Sequence, residues 1–211
     1  MAQYLVTMIE LWRKALDNKK SAGGVLTDLS KAFDCLNHNL LIAKLEAYGF
    51  DESALGYIYN YLKGRKQRTK VGQSYSTWRK LLFGVPQGSI LGPLLFNIFI
   101  NDIFFFMDKT KIASYADDTT TYATENNVVK LLELLELETK EVLNWFRINE
   151  MKANDDKCHL FVANSNENAS LELGCKSIHA CKSVKLLAIF IDKQLNFNEH
   201  VMYLCKKGNQ K

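Results

Sequence analysis

The chain is poor in residues that interrupt regular structure: only two prolines occur in 211 residues. No Gly/Ser-rich linker, low-complexity tract or internal repeat divides it, which argues for one continuous domain and against a solenoid. The cysteines are odd in number, Cys35, Cys158, Cys175, Cys181 and Cys205, with no C-x-x-C pair. That pattern argues against a disulfide framework and reads as thiols in a reducing compartment. His179 lies between Cys175 and Cys181 in "GCKSIHAC", but no second cluster at ligand spacing accompanies it, so a zinc site is not expected. The N-terminus lacks a basic segment followed by a continuous apolar core, and Glu10 interrupts it, so it does not read as a signal peptide. The most apolar window, "PLLFNIFINDIFFFM" at 93–107, carries Asn97, Asn101 and Asp102 and is too short to span a bilayer. It reads as a buried helix, and no membrane partner is expected.

What is present suits a folded chain with a sizeable core: 47% of residues are apolar, and the formal charge is +4. Such a charge permits a polyanionic partner without demanding one, so its placement matters more than its sum. Leu5, Met8, Ile9, Trp12 and Leu16 recur at helical spacing up to "DNKK". "GGVLTDLS" then reads as a strand entered through two glycines and ending at Asp28. Helices are predicted over 37–49, stopped by Gly49, and from an Asp51 N-cap to Leu62. "KGRKQRTK" follows with five cations, Lys63, Arg65, Lys66, Arg68 and Lys70, leading into a hairpin. "GVPQGSILGP" reads as a loop that starts the buried helix, with Gly92 as N-cap and Pro93 at its first position. A long helix from Asn127 to Phe146 and strands at "CHLFVA", "SLEL" and "LLAIFID" complete an α+β chain, an antiparallel sheet with helices on one face.

"SYADDTTTYA" at 114–123 sets two adjacent carboxylates, Asp117 and Asp118, between strand-forming runs. Like charges this close repel, and burial raises the cost, so a divalent metal is one reading. An exposed Asp-Asp hairpin turn is the other, since Asp suits turns.

Five blocks bear on the choice. "LTDLSKAFDCLNH", "GVPQGSILGPLLFNIFINDI", "YADDT", "NWFRINEMKANDDKCHLFV" and "KLLAIFIDKQLNFNEHV" occur in this order. Together they resemble the successive catalytic blocks of reverse transcriptases, most of all those of non-LTR (LINE-type) retrotransposons of the jockey and chicken-repeat-1 groups. The resemblance covers nearly the whole chain and implies a right-hand polymerase palm with partial fingers over residues 1–200 and the start of a thumb at 201–211. It also implies RNA-directed DNA polymerase activity: transfer of dNTPs to a DNA primer 3'-end on an RNA template, with two Mg²⁺ ions or Mn²⁺ in their place. Nucleotidyl transfer of this kind uses one ion to activate the attacking hydroxyl and one to steady the leaving pyrophosphate, and hard carboxylate oxygens suit both.

By that resemblance Asp28, Asp117 and Asp118 are the catalytic metal ligands, with Asp117 the stronger ligand of the adjacent pair. Phe33 stands where the family holds a steric gate against a ribonucleotide 2'-hydroxyl; read alone it is a core phenylalanine. Gln87 and Gly88 match the loop beside the incoming nucleotide and template, although "VPQG" alone is merely a turn. Lys157 matches a lysine proposed to protonate pyrophosphate, and alone it is a solvated lysine. Lys63, Arg65, Lys66, Arg68 and Lys70 would meet template or primer phosphates, a sequence-blind and salt-sensitive interaction.

The chain also departs from the family. Ala188 stands where the fifth block usually has Gly, and Met151 and Cys158 stand where Leu and Thr are usual. Upstream fingers blocks, an endonuclease domain and the thumb clamp are expected to be missing, which leaves a second reading of an inactive or co-opted remnant that binds RNA without catalysis. A palm-fold nucleotide cyclase is a third reading, opposed by "GVPQGSILGP" and "FDCLNH". The family resemblance implies an intracellular location, nucleus or cytoplasm, but no localisation signal is evident.

Overall fold

The computed structural model describes residues 2–116, 118–154, 157–165, 169–174 and 176–209. The first part of the chain forms α1 (Ala2–Asp17), β1 (Ser21–Asp28), a short α2 (Ala32–Cys35), α3 (His38–Ala47) and α4 (Glu52–Leu62). Four two-residue strands follow: β2 (Lys66–Gln67), β3 (Lys70–Val71), β4 (Ser74–Tyr75) and β5 (Arg79–Lys80). Then come α5 (Leu91–Ile100), a 3-10 segment (Asn101–Phe106), β6 (Lys111–Tyr115), β7 (Asp118–Glu125) and α6 (Val128–Ile148). The chain closes with β8 (His159–Ala163), β9 (Ser170–Leu173), β10 (Lys176–His179), β11 (Ser183–Leu186), β12 (Ile189–Asp192) and α7 (Asn198–Gly208). Among the described residues no helix is long and apolar enough to cross a membrane.

The central sheet is antiparallel with strand order β6-β7-β1-β8. Its two interior glycines lie close against the backbone of the neighbouring strands. A Cβ on Gly23 would run into the Phe161 carbonyl oxygen and sit 3.4 Å from Leu131 of α6. A Cβ on Gly24 would sit 2.8 Å from the Thr121 carbonyl oxygen and 3.4 Å from Trp12 of α1. The sequence suggested that these glycines open the strand. It begins at Ser21 instead, and the glycines lie inside it, where a Cβ would meet carbonyl oxygens of the neighbouring strands β8 and β7.

On one face Val25, Ala123, Leu160 and Val162 pack against Leu131 and Leu135 of α6. On the other, Ala22, Leu26, Tyr122 and Phe161 pack against Leu5, Met8 and Trp12 of α1, with Trp12 stacked on Phe161 at 5.1 Å. Burying each of these large side chains contributes about 1.5–3 kcal/mol before ordering costs. The sheet therefore has the expected helical layer and, in addition, α1 over part of its second face. The Asp28 end of that face is left open as a cleft.

A third cluster joins α3, α4 and α5 to the C-terminal half of α6. Lys44 locks it. Its ammonium donates to the Phe99 carbonyl oxygen at 2.8 Å and to Asp102 at 2.7 Å, and lies 4.4 Å from the Phe99 ring centre and 4.6 Å from that of Trp145. Burial holds its pKa below the usual value, against the pull of Asp102.

Three local expectations change. Helix α5 begins at Leu91 with Ile90 as N-cap, so Gly92 and Pro93 lie within its first turn. The Ser89 hydroxyl accepts from the Gly92 N–H at 3.0 Å and supplies the capping oxygen, while Pro93, lacking an N–H, loses nothing in a first turn. The apolar window does not stay a buried α-helix to 107. It tightens into the 3-10 segment, where Ile103 is buried but Phe104, Phe105 and Phe106 are exposed, because three successive rings cannot all face one core. "LLAIFID" is also not one strand: it turns at Leu187 and Ala188 between β11 and β12.

Candidate active site

The antiparallel register of β1 and β7 sets Asp28 directly opposite Asp118. Residues so paired project to the same face with Cβ atoms about 4.5–5.5 Å apart. The β6–β7 hairpin pairs Tyr115 with Asp118 and turns through Ala116 in the left-handed region (φ 53°). Asp117, singled out with Asp118, lies outside the described residues. Tyr4 of α1 borders this end of the sheet: burial, and then the negative charge of Asp118, raise its phenol above the usual 10.0.

Lys157 reaches the same place from far along the chain. The stretch before it is zipped onto the residues around Asp28: the Ser30 N–H donates to the Lys152 carbonyl at 2.9 Å, and the Asn154 N–H to the Asp28 carbonyl at 2.8 Å. Leu29 and Ala153 form a bridge between these hydrogen bonds. The Lys157 ammonium then pairs with Asp28 Oδ2 at 2.8 Å. Asp28's side chain is 13% exposed and Lys157's 62%, so water screens the pair and it is worth about 0.2–1 kcal/mol. These groups line a cleft of about 160 Å³ whose wall also includes Thr119, His159 and Lys185. Sequence reasoning missed His159 and Lys185. Alternation within "CHLFVA" and "SVKL" gives the face each occupies on its own strand, but not which strand end it adjoins.

Phe33 sits in α2, half-buried, its ring stacked on Phe96 at 4.5 Å. Its carbonyl accepts from the Val85 N–H at 2.8 Å. This close approach depends on Gly84, at φ +82°, where a Cβ would lie 2.8 Å from both Asp34 Cα and the Phe33 oxygen. Gln87 donates to Asp34 Oδ1 at 2.9 Å, a partner that sequence reasoning did not name. Gly88, exposed at φ +78°, has nothing within 4 Å of where a Cβ would stand. Phe33, Gln87 and Gly88 thus gather through the contact of residues 33–34 with 84–87. Asp34 and Gln87 line a groove of about 790 Å³ together with Lys31, His38, Arg65 and Lys80.

The cationic stretch forms two nested two-strand ladders, β2 with β5 and β3 with β4. Between 63 and 80 stand Lys63, Arg65, Lys66, Arg68, Lys70, Arg79 and Lys80, with no Asp or Glu. Lys66 is directly opposite Lys80, a like-charge pairing that destabilises a ladder. Of the five cations singled out, Arg65 lines the groove. Its Nε donates to the Tyr61 carbonyl at 2.7 Å and its guanidinium lies 4.6 Å from the Tyr61 ring centre, while Lys63 lies 4.9 Å from that of Tyr59.

The chain is 30% identical over 209 residues to a probable RNA-directed DNA polymerase from transposon BS of Drosophila melanogaster, covering 94% of this chain and 23% of that protein. It is 26% identical over 197 residues to the RNA-directed DNA polymerase from mobile element jockey of the same species, covering 89% of this chain and 21% of that protein. The chain thus spans under a quarter of the length of these relatives. Among solved structures, apo telomerase from Candida tropicalis superposes with a TM-score of 0.65 at 12% identity, covering 93% of this chain and 36% of that one. Telomerase from Candida albicans in complex with a fragment of telomeric RNA superposes at 0.63 and 12% identity, covering 92% and 34%. These likenesses show the right-hand polymerase fold. Residues 3–195 match the reverse transcriptase (RNA-dependent DNA polymerase) family, and the chain belongs to it.

Proposed function

We propose that the chain carries the nucleotidyl-transfer centre of a non-LTR retrotransposon reverse transcriptase, extending a DNA primer with dNTPs on an RNA template. One observation carries the reading: in a chain of this family, Asp28 and Asp118 face each other at the open end of the sheet. Reverse transcriptases generally use divalent metals. Two opposed carboxylates on an open cleft suit a hard cation that keeps part of its water shell, and Mg²⁺ fits that donor set, with Mn²⁺ as an alternative. Asp28 and Asp118 would hold the ions, with Asp117 as the further ligand. When bound, the two ions would acidify the primer 3'-hydroxyl and steady the pyrophosphate charge.

The remaining roles fall to this chain's own side chains. Lys157 is exposed at the cleft mouth, where its ammonium can leave Asp28 and pass a proton to the departing pyrophosphate. Phe33, held by Phe96, would close the space a 2'-hydroxyl needs. Asp34 positions Gln87 against the nucleotide, and bare backbone at Gly88 admits the substrate closely. Lys63, Arg65, Lys66, Arg68 and Lys70 would neutralise template or primer phosphates. Residues 1–200 would be palm and partial fingers, and 201–211 the start of a thumb; Val201, Met202 and Leu204 of α7 are exposed.

The test is Mg²⁺-dependent extension of oligo(dT) on poly(rA) by the chain, beside its Asp28→Asn and Asp118→Asn variants. Extension by the parent that both variants lose supports the proposal. A folded parent that extends nothing, or variants that extend as well as the parent, would overturn it.

A further inference from the structure

Resting on the reading that this chain handles an RNA template, we propose that Trp78, fixed by Arg68 and Tyr75, is a stacking platform for an unpaired base of single-stranded RNA. The three tryptophans divide sharply: Trp12 and Trp145 are fully buried, whereas Trp78 is 59% exposed. An indole left in water forgoes the burial that normally stabilises it, and Trp78 belongs to none of the three core clusters. It is nonetheless held. The Arg68 guanidinium lies 4.6 Å from the Trp78 ring centre and 4.1 Å from that of Tyr75, itself 51% exposed. The backbone between the rings is tied to the facing strand, with the Ser76 N–H donating to the Thr69 carbonyl and the Thr69 N–H to Ser76 Oγ, both at 2.9 Å.

Charge specifies the partner. No carboxylate occurs between 63 and 80, and Lys66 faces Lys80 across the ladder. A polyanion relieves that repulsion, and the strand that supplies phosphates also supplies bases. In a duplex each base face is taken by its neighbour, so an exposed indole beside a cationic track selects an unstacked base. Because Arg68 already orients the ring, docking a base orders little more of the protein.

The geometry also makes the test specific, since Trp78 is the one solvent-exposed tryptophan. Titrating the purified chain with a single-stranded oligoribonucleotide, without metal or dNTP, should quench the solvent-exposed tryptophan emission saturably. Anisotropy of labelled RNA gives the affinity independently. Trp78→Leu should weaken binding about 5- to 150-fold, the loss expected for one stacked base, and Trp78→Tyr should recover most of it. Lys66→Gln should lower the salt slope by about 0.7 for single-stranded RNA and leave the quench intact. Single-stranded DNA that quenches equally leaves the platform in place without sugar selection. The proposal is overturned if saturating RNA leaves the emission unchanged, if Trp78→Leu binds as the parent does, or if only anionic phosphatidylserine vesicles quench. Failure of primer extension would not produce these results: a chain that is quenched by RNA yet never extends keeps the platform and loses the polymerase proposal, and the converse holds.

Discussion

Ala188→Gly should stabilise this protein, although the same exchange destabilises almost any regular position. β11 and β12 pair Leu186 with Ile189, leaving a two-residue loop with Leu187 at φ 48° and Ala188 at φ 67°. Two positive φ values in a two-residue hairpin loop describe a type I′ turn, which favours Asn-Gly. A Cβ in the left-handed region costs about 1–2 kcal/mol. Glycine removes that cost but returns about 0.5–1 kcal/mol as chain entropy in the unfolded state. Ala188 is exposed, so no packing is lost. The net gain is about 0–1.5 kcal/mol, centred near ~0.75, which is roughly 2–3 °C in Tm for a chain of this size. The control is Ala43→Gly, at an exposed interior position of α3, which should cost about 1 kcal/mol. Thermal and urea unfolding of the two variants read opposite signs if the turn is as described. Equal destabilisation by both would refute the left-handed assignment and the reasoning built on it.

Three further outcomes follow from the packing and the site. Gly24→Ala should cost about 1–3 kcal/mol in urea unfolding, because its Cβ would meet backbone at the Thr121 oxygen, which cannot move without breaking the ladder. Lys44→Met should lose about 1–3 kcal/mol, since it strands Asp102 and the Phe99 carbonyl. That deficit should widen as pH rises from the folded lysine's lowered pKa toward 10.5: in that window the unfolded parent binds the proton that the folded parent sheds, so the parent gains stability that the variant cannot. Asp28→Asn should change stability by less than about 1 kcal/mol, because the pair it breaks is screened at Lys157, while primer extension falls at least about 100-fold. Parallel loss of stability and activity would argue that Asp28 serves the fold.

Sequence alone determined what depends on neighbours a few residues away. Asp51 announces its helix because an N-cap side chain bonds an N–H three residues on, as it does here. Trp12 and Leu131 fall on buried helix faces because a 3.6-residue period sets which side chains share a side. The five ordered blocks made the family legible, and with it Asp28 and Asp118 as candidates.

Tertiary structure decided what depends on partners distant in sequence. Asp28 meets Asp118 through a strand register, and Lys157 meets Asp28 across 129 positions; no local period encodes either. The glycines of β1 look like a strand entrance in sequence, but they lie inside the strand, close against carbonyl oxygens of β7 and β8. Ala188 looked like a mild departure until its backbone proved left-handed. Lys44 lies on α3, and only the fold closes two rings and a carboxylate around it. The register, the ion pair and the contacts around Lys44 each join residues far apart in sequence, and the chain can specify such contacts only by folding.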